Sequence, residues 1–568
     1  MAFHFVQLAK CRLKAFFEHI DALFPDRERP WLLLGKGPSF AKYEAEHAQR
    51  YYTLALNHVG AQIPVDLTHV IDMEVIEQSG AELLARSKFL VMPWVPHVKH
   101  EPTLLTPSRM MDASGITLAE WVSINPTLQE LAQQNRLLWY NLSSAPERYV
   151  RADGGPVVQA VFFSASAAVD LLAKAGRRQV RTLGIDGGKQ YSGHFGKWAE
   201  ANLFANGRTS FDLQFKGITQ TIMAHGIEFG PADVETPIRV FVGAEPEQSL
   251  AVKLLEYSIK KHSSMSVRVE SLHQALADRG MDVPLPKSPA LAPRTPFSYQ
   301  RFAIPALKDY RGRAIYLDSD MLVFDDIKKL WTTPFDGAPL LAVEEPAGSG
   351  RRPQYSVALM DCEALQWNVA DLVRDLDAGR WTYEQFMFEM AAAPGARAGI
   401  ASRWNDLERY RPGDTALTHY TDMDQQPWLE RVNPIAHVWC GVLLEAIEKG
   451  FITRDFVAEE VKNGHVRPSL LAQVDLKIAD PLLLPRSARA LDRNYLPPHV
   501  IASSTSRAGE RPSLRSIALK RRARMLAWRV MNRLGLWEAM KKMRGRIKAA
   551  RQNGRIASAR RRRGMSAT

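Results

Sequence analysis

Short apolar runs at 31–34, 52–56, 90–92, 137–140 and 180–185 alternate with stretches of helical periodicity. That alternation is the signature of a layered α/β domain, in which helices cover the faces of a sheet. The pattern breaks at Gly230-Pro231-Ala232-Asp233 and resumes with apolar runs at 238–242, 314–317, 340–343 and 357–360, among helical stretches such as 250–262. A proline-rich region at 482–498 and a Ser/Thr/Arg/Gly linker at 503–512 close it. With 568 residues the chain has room for two or three domains, each with its own core. The boundaries predicted are 1–235, 236–500 and 501–568, with no repeat at a fixed period.

The net charge of +13 is unevenly placed. Residues 501–568 hold 20 Lys and Arg against 2 Asp and Glu, a net of +18, which leaves the remainder at −5. The body is mildly acidic and the basicity belongs to a tail. Three cysteines, Cys11, Cys362 and Cys440, are too few and too scattered for a disulfide framework or a zinc cluster, and fit thiols in a reducing compartment. No signal-peptide run follows Lys10, Arg12 and Lys14, and no stretch reaches the length of a spanning helix. The location expected is cytoplasmic.

The run at 314–317 ends in Asp318-Ser319-Asp320. In an extended chain residues i and i+2 share a face, so the two carboxylates can converge on one ligand. Two hard oxygen donors suit Mg²⁺ or Mn²⁺. At a strand exit such an ion can hold a diphosphate and neutralise its charge as the leaving group departs. A polar turn would also account for these three residues taken alone.

Three further elements flank them. Phe241-Val242-Gly243-Ala244-Glu245 is a strand running into a small-residue turn, where a base and ribose can approach the backbone at Val242 and Gly243, or where a strand simply turns into a helix. Arg301, in Tyr299-Gln300-Arg301-Phe302, can reach a phosphate or pair with Asp318. His419 opens His419-Tyr420-Thr421-Asp422-Met423-Asp424-Gln425-Gln426-Pro427-Trp428, well downstream of the carboxylates.

From 238 to about 474 the chain resembles the GT-A glycosyltransferases of family 8, in which a DxD at a strand end and a later H-[FY]-x(n)-P-W element bind Mn²⁺ and the donor diphosphate. The resemblance implies that Asp318, Asp320 and His419 are the metal ligands. Pro353-Gln354-Tyr355-Ser356-Val357-Ala358-Leu359-Met360-Asp361 matches the family's F-N-S-G-V-M-L-M-D strand loosely, with Gln354 and Ser356 replacing Asn and Gly. Glu384-Gln385 stands where the family has the D-Q pair beside the sugar. Gln426 stands where the family has a lysine before Pro-Trp, so a contact to the diphosphate there has lost its cation. The resemblance also implies retention of anomeric configuration. A double displacement would require a carboxylate nucleophile about 5 Å from the general acid, and the sequence offers no unambiguous one. Front-face substitution is the expectation, with the leaving phosphate taking the acceptor's proton and Gln385 or Glu384 lining the sugar.

In the first segment Leu32-Leu33-Leu34-Gly35-Lys36-Gly37-Pro38-Ser39 is a strand entering a Gly-x-Gly-Pro-Ser loop. Its glycines permit close approach to a phosphate and its amides can donate to one; a tight structural turn has the same composition. Apolar runs that end in Asn57, Asp72 and Asp186 place polar side chains along one edge of a parallel sheet. Residues 31 to about 195 resemble the sialyltransferase-like Rossmann domains of bacterial surface-glycan and flagellin-glycosylation proteins. That resemblance implies a nucleotide-sugar site at Gly35, Gly37, Ser39, Asn57 and Asp72, or a domain that only binds acceptor glycan on the same core.

In the tail, Leu519, Met525, Leu526, Trp528, Leu534, Trp537 and Met540 recur with helical spacing among Arg and Lys. Such a helix can lie on an anionic membrane surface, with each cation contributing about 1 kcal/mol; a solvated tail has the same composition. Nucleic-acid binding by Arg560-Arg561-Arg562-Arg563 ranks behind both, so nucleic acid is not an expected partner. The fold expected is α/β, a Rossmann-like domain followed by a GT-A domain and a basic helical tail. The function expected is transfer of a hexose from a nucleotide sugar, taken as UDP-linked, to a surface glycan or lipid-linked acceptor with Mn²⁺ or Mg²⁺. The alternatives are a membrane-recruited glycan-binding or scaffold protein and a nucleotidyltransferase.

Overall fold

The computed structural model describes residues 13–505 apart from 102, 106–109, 144–151, 197–209, 294, 296 and 346–354. Almost all of the basic tail, together with Cys11, Pro353 and Gln354, therefore lies outside the described residues. A first compact unit runs to His419, and residues from Tyr420 onward form a second.

The first unit holds two large sheets. In chain order its early strands are β1 (Lys14–Ala15), β2 (Trp31–Leu34), β3 (Tyr52–Leu56), β4 (Val65–His69), β5 (Ser87–Pro93), β6 (His97–His100), β7 (Met110–Ala113), β8 (Leu137–Ser143), β9 (Val157–Gln159), β10 (Gln179–Leu183) and β11 (Glu228–Pro231). β6 and β7 form a separate antiparallel hairpin. The other nine make one parallel sheet in the order β1-β8-β5-β4-β3-β2-β10-β11, with β9 added to β8. Strands buried on both faces read as unbroken apolar runs rather than alternating ones. Trp31 and Leu33 of β2 enter one core cluster, while Leu32 and Leu34 enter another on the opposite face. Successive strands after β2 build one side of the sheet and β10 and β11 the other, so the order reverses between β2 and β10. Crevices at such reversals are where open α/β sheets bind ligands.

Gly230-Pro231, expected as a break, instead closes β11. β11 is an edge strand, and a proline on an open edge removes no ladder donor.

The second sheet comprises β12 (Ile238–Gly243), β13 (Val267–Ser271), β14 (Arg313–Asp318), β16 (Leu340–Val343), β17 (Val357–Asp361) and β18 (Arg397–Ile400), in the order β13-β12-β14-β17-β16-β18. β12, β13 and β14 run parallel, and β17 is antiparallel to both β14 and β16. Between these elements fall β15 (Met321–Val323), β19 (Asp406–Leu407) and β20 (Leu417–His419), which form a small sheet of their own. β14 is central and covered on both faces. Ala314 and Tyr316 pack with Tyr299, Phe302 and Phe386, whereas Ile315 and Leu317 pack with Leu255, Ile259 and Trp331.

The second unit is helical, with helices at Ala436–Glu448, Arg454–Lys462 and Ser469–Asp475. Its buried Arg467 ties the helices to the Pro427 carbonyl, to Ser469 Oγ and to Gln473 Oε1. The proline-rich region 482–498 carries a short helix at Arg486–Ala490. Among the described residues no helix is long and apolar enough to cross a membrane.

Candidate functional site

Asp318 is the last residue of β14 and stands opposite Gly243, the last of β12. Its amide donates to the Ser356 carbonyl, and the next amide, that of Ser319, donates to the Gly243 carbonyl. The strand therefore ends at Asp318, and Ser319 and Asp320 lie in a bend. The two carboxylates do not converge by strand alternation, as the extended-chain reading expected; a pinned turn brings them together. β15 then starts at Met321, which pairs with His419 of β20. This pairing delivers the distant histidine, and ligand atoms of Asp318, Asp320 and His419 lie within 4.8 Å of one another.

The histidine is oriented. Its Nδ1 faces Asn405 Oδ1 at 2.9 Å and its Nε2 faces Asp320 Oδ1 at 3.0 Å. Asn405 acting as acceptor places the proton on Nδ1 and leaves Nε2 as the nitrogen that could ligate, the arrangement that outer partners impose on metal-binding histidines. Burial opposes a charged His419, but the charges of Asp320 and Asp318 outweigh it and hold its pKa above the ordinary value. Burial, with Asp320 adding to it, raises the Asp318 carboxyl, against the pull of Arg301.

Arg301 is buried, and its Nε and Nη1 donate to the Ser298 and Tyr355 carbonyls. Its guanidinium lies 4.8 Å from the Tyr316 ring centroid, and the Tyr316 hydroxyl donates to Asp318 Oδ1 at 2.6 Å. Val242 buries its side chain in the core, which leaves only its backbone for a ligand. On the side where Gly243 would carry a Cβ stand the Tyr316 hydroxyl at 2.4 Å and Phe297 at 2.9 Å, so the glycine makes room for protein there rather than for a ribose.

Glu384 and Gln385 lie exposed on the short helix Tyr383–Met387, which Phe386 anchors by stacking on Phe302 at 4.4 Å. Gln385 Oε1 accepts from the Thr382 amide, so its carbonyl caps its own helix. Gln426, in the second unit, is buried and donates from Nε2 to the Tyr420 carbonyl.

The first sheet has its own cavity, of about 450 Å³, at the reversal between β2 and β10. Gly35, Gly37, Asn57 and Asp72 line it, as do Lys36, Glu74 and Asp112. The amides expected to cradle a phosphate are spent within the protein. Gly35 donates to the Leu183 carbonyl, Gly37 to the Gly184 carbonyl and Ser39 to Asp186 Oδ2, while Ser39 Oγ accepts from Gly184. The glycines serve close packing of two backbones: a Cβ on Gly35 would stand 2.3 Å from the Gly184 oxygen.

Sequence reading missed Tyr316, Asn405 and Lys36 as members of these sites. Tyr316 was legible in principle, since it lies two residues before Asp318 on the same strand face. Asn405 gave no signal, because only the β19–β20 pairing brings it to His419.

The chain is similar to several known proteins. The chain is 34% identical over 109 residues to "Protein CDI" of Arabidopsis thaliana, covering 19% of this chain and 41% of that protein. It is 24% identical over 195 residues to "Probable galacturonosyltransferase-like 8" of the same plant, covering 26% and 49%. The chain thus spans less than half the length of these curated relatives. Among solved structures, the galactosyltransferase LgtC with donor and acceptor sugar analogs aligns at TM-score 0.27 and 13% identity, over 38% of this chain and 100% of that one. The glycosyltransferase GlyE of Streptococcus pneumoniae TIGR4 aligns at 0.26 and 16%, over 38% and 66%. The α/β fold is as expected, and residues 251–397, which include β14 and the carboxylates at its end, match the family model for Glycosyl transferase family 8.

Proposed function

We propose that the chain is a metal-dependent glycosyltransferase that moves a hexose from a UDP-sugar to a surface-glycan or lipid-linked acceptor with retention of configuration. The observation that carries this reading is the convergence of Asp318, Asp320 and His419 at the end of a central strand, inside or beside the segment that matches family 8. Two carboxylate oxygens and one imidazole nitrogen suit Mn²⁺ or Mg²⁺. Such an ion, when bound, supplies charge neutralisation at a diphosphate leaving group.

The chain's own residues prepare this site. Tyr316 fixes one oxygen of Asp318, and Arg301 packs against the Tyr316 ring. Asn405 keeps His419 Nε2 aimed at Asp320. In this reading Glu384 and Gln385 line the donor sugar. The division at 1–235, 236–500 and 501–568 belongs to the same proposal, with the first part a Rossmann-like, sialyltransferase-like ligand-binding domain. The basic tail would hold a cytoplasmic enzyme against the inner membrane.

The test is release of UDP from a panel of UDP-sugars with and without Mn²⁺. Metal-dependent release that Asp320→Ala abolishes supports the reading; release unchanged by that substitution sinks it.

A further inference from the structure

The cavity at the reversal of the first sheet differs from a phosphate site in three respects. First, the amides of Gly35, Gly37 and Ser39 already donate to protein acceptors. Second, among the described residues its wall is rich in acceptors: Asp72, Glu74, Asp112 and Asp186 line it, with Lys36, His58 and His97 as the basic groups. All four are engaged in part, Glu74 by Lys99 at 2.9 Å, Asp186 by the Ser39 amide at 2.7 Å, Asp112 by the Ala113 amide at 2.9 Å and Asp72 with His97 at 3.9 Å, yet each carboxyl has lone pairs for further protons. Third, Asn57 Oδ1 is buried at the cavity without a hydrogen-bond partner. A buried acceptor left unmade costs on the order of 1–3 kcal/mol, so it marks a place where a ligand proton belongs.

Backbone conformation points to the same place. Asn57 has φ 53° and Phe162 has φ 70°, and both line the cavity. Asparagine adopts the left-handed region readily, but a bulky side chain such as that of Phe162 is strained there, and strain of this kind gathers at ligand sites. Phe163, Tyr191 and Phe211 add an aromatic wall, with Phe163 and Phe211 centroids 5.1 Å apart and Tyr191 and Phe211 5.5 Å apart. Such a wall accepts the flat face of a nucleobase or the C–H face of a pyranose equally well. The polar wall decides between them. A diphosphate brings only acceptors to a surface rich in acceptors whose loop amides are already spent, whereas sugar hydroxyls and amines bring protons.

We propose that this cavity is a glycan site, which takes a neutral or amino sugar unit by accepting its hydroxyl and amine protons at Asn57, Asp72 and Asp112, and does not hold a nucleotide diphosphate. Its volume of about 450 Å³ is within the range of small-molecule pockets. The chain then has two ligand sites of opposite preference. One, at Asp318, suits a phosphorylated donor, and the other suits a phosphate-free sugar.

The experiment is calorimetric titration of the full-length chain carrying Asp320→Asn, without divalent metal, so that the second-sheet site is silenced and does not contribute. The probes are hexoses, hexosamines and their disaccharides on one side, and UDP, GDP and CMP on the other. At least one sugar probe should bind, and Asn57→Gly should weaken it tenfold or more. Glycine adopts the left-handed backbone freely, so that variant removes the acceptor without straining the turn. Asp112→Asn, a surface-side change, provides a second variant and should weaken the same sugar. Absence of binding by every sugar would overturn the proposal, as would a nucleotide whose binding falls with Asn57→Gly, or sugar binding indifferent to both variants. None of these outcomes depends on whether the Asp318 site transfers sugar.

Discussion

The Tyr316 hydroxyl donates to Asp318 Oδ1 across 2.6 Å, from a ring that is itself fully buried on the same face of β14. The strand thus carries its own clamp: one residue in the core sets the rotamer of the carboxylate at the rim. Tyr316→Phe keeps the packing and removes the clamp. Mn²⁺ affinity, measured by paramagnetic resonance titration, should fall about tenfold. Unfolding free energy should change by only about 1–2 kcal/mol.

Asn405 acts on His419 in the same manner from the other side. Asn405→Ala releases the ring and should lower metal affinity about 10- to 100-fold, whereas Asn405→Asp retains the acceptor and should restore most of it. The same titration checks both.

Gly184 and Gly280 both have positive φ, at 76° and 59°, but only Gly184 is crowded, with the Gly35 oxygen 2.1 Å from where its Cβ would stand. Gly280→Ala should cost about 1–2 kcal/mol from backbone conformation alone. Gly184→Ala should cost more than about 4 kcal/mol or prevent folding, since two backbones must separate. Chemical denaturation of the two variants measures the difference.

Asp72 provides a pH dependence. Burial, helped by Glu74 and opposed by Lys36, lifts its carboxyl to about 7. A carboxyl whose folded pKa is raised favours the protonated form. Its contribution is fully present below the ordinary carboxylate range and is lost as pH rises through 7. Stability should therefore decline between about pH 4 and 7 by at most about 4 kcal/mol, and Asp72→Asn should flatten that decline. Lys36, lowered by burial to about 8, acts in a separate alkaline window, where stability rises as the folded chain releases its proton first. Denaturation curves at pH 5, 7 and 9 test both signs.

Much of this was legible in the amino-acid order because it depends on local rules. The apolar runs at 31–34 and 314–317 became central strands, since a run buried on two faces has few other solutions. The identities of Asp318, Asp320 and His419 were legible too, but not the means of their meeting. That depends on a three-residue ladder whose partners lie far apart in the chain, and no local pattern encodes it. The Gly-x-Gly-Pro-Ser loop stayed open between two readings for a related reason: glycine composition looks alike whether a phosphate or another backbone makes the close approach. Here the other backbone is that of Gly184, which local sequence does not reveal.

The β15–β20 ladder pairs Met321 with His419, Leu322 with Thr418 and Val323 with Leu417. Side chains alternate along a strand, so sliding either partner by one residue would present Thr418 where His419 now stands and turn the imidazole to the far side. A single-residue insertion or deletion in the connection ahead of β20 would therefore leave the fold, the core and both aspartates in place while removing the histidine from their cluster. The site is more fragile to changes in chain length than to most substitutions, and a homologue silenced in this way would keep every motif by which it could be recognised.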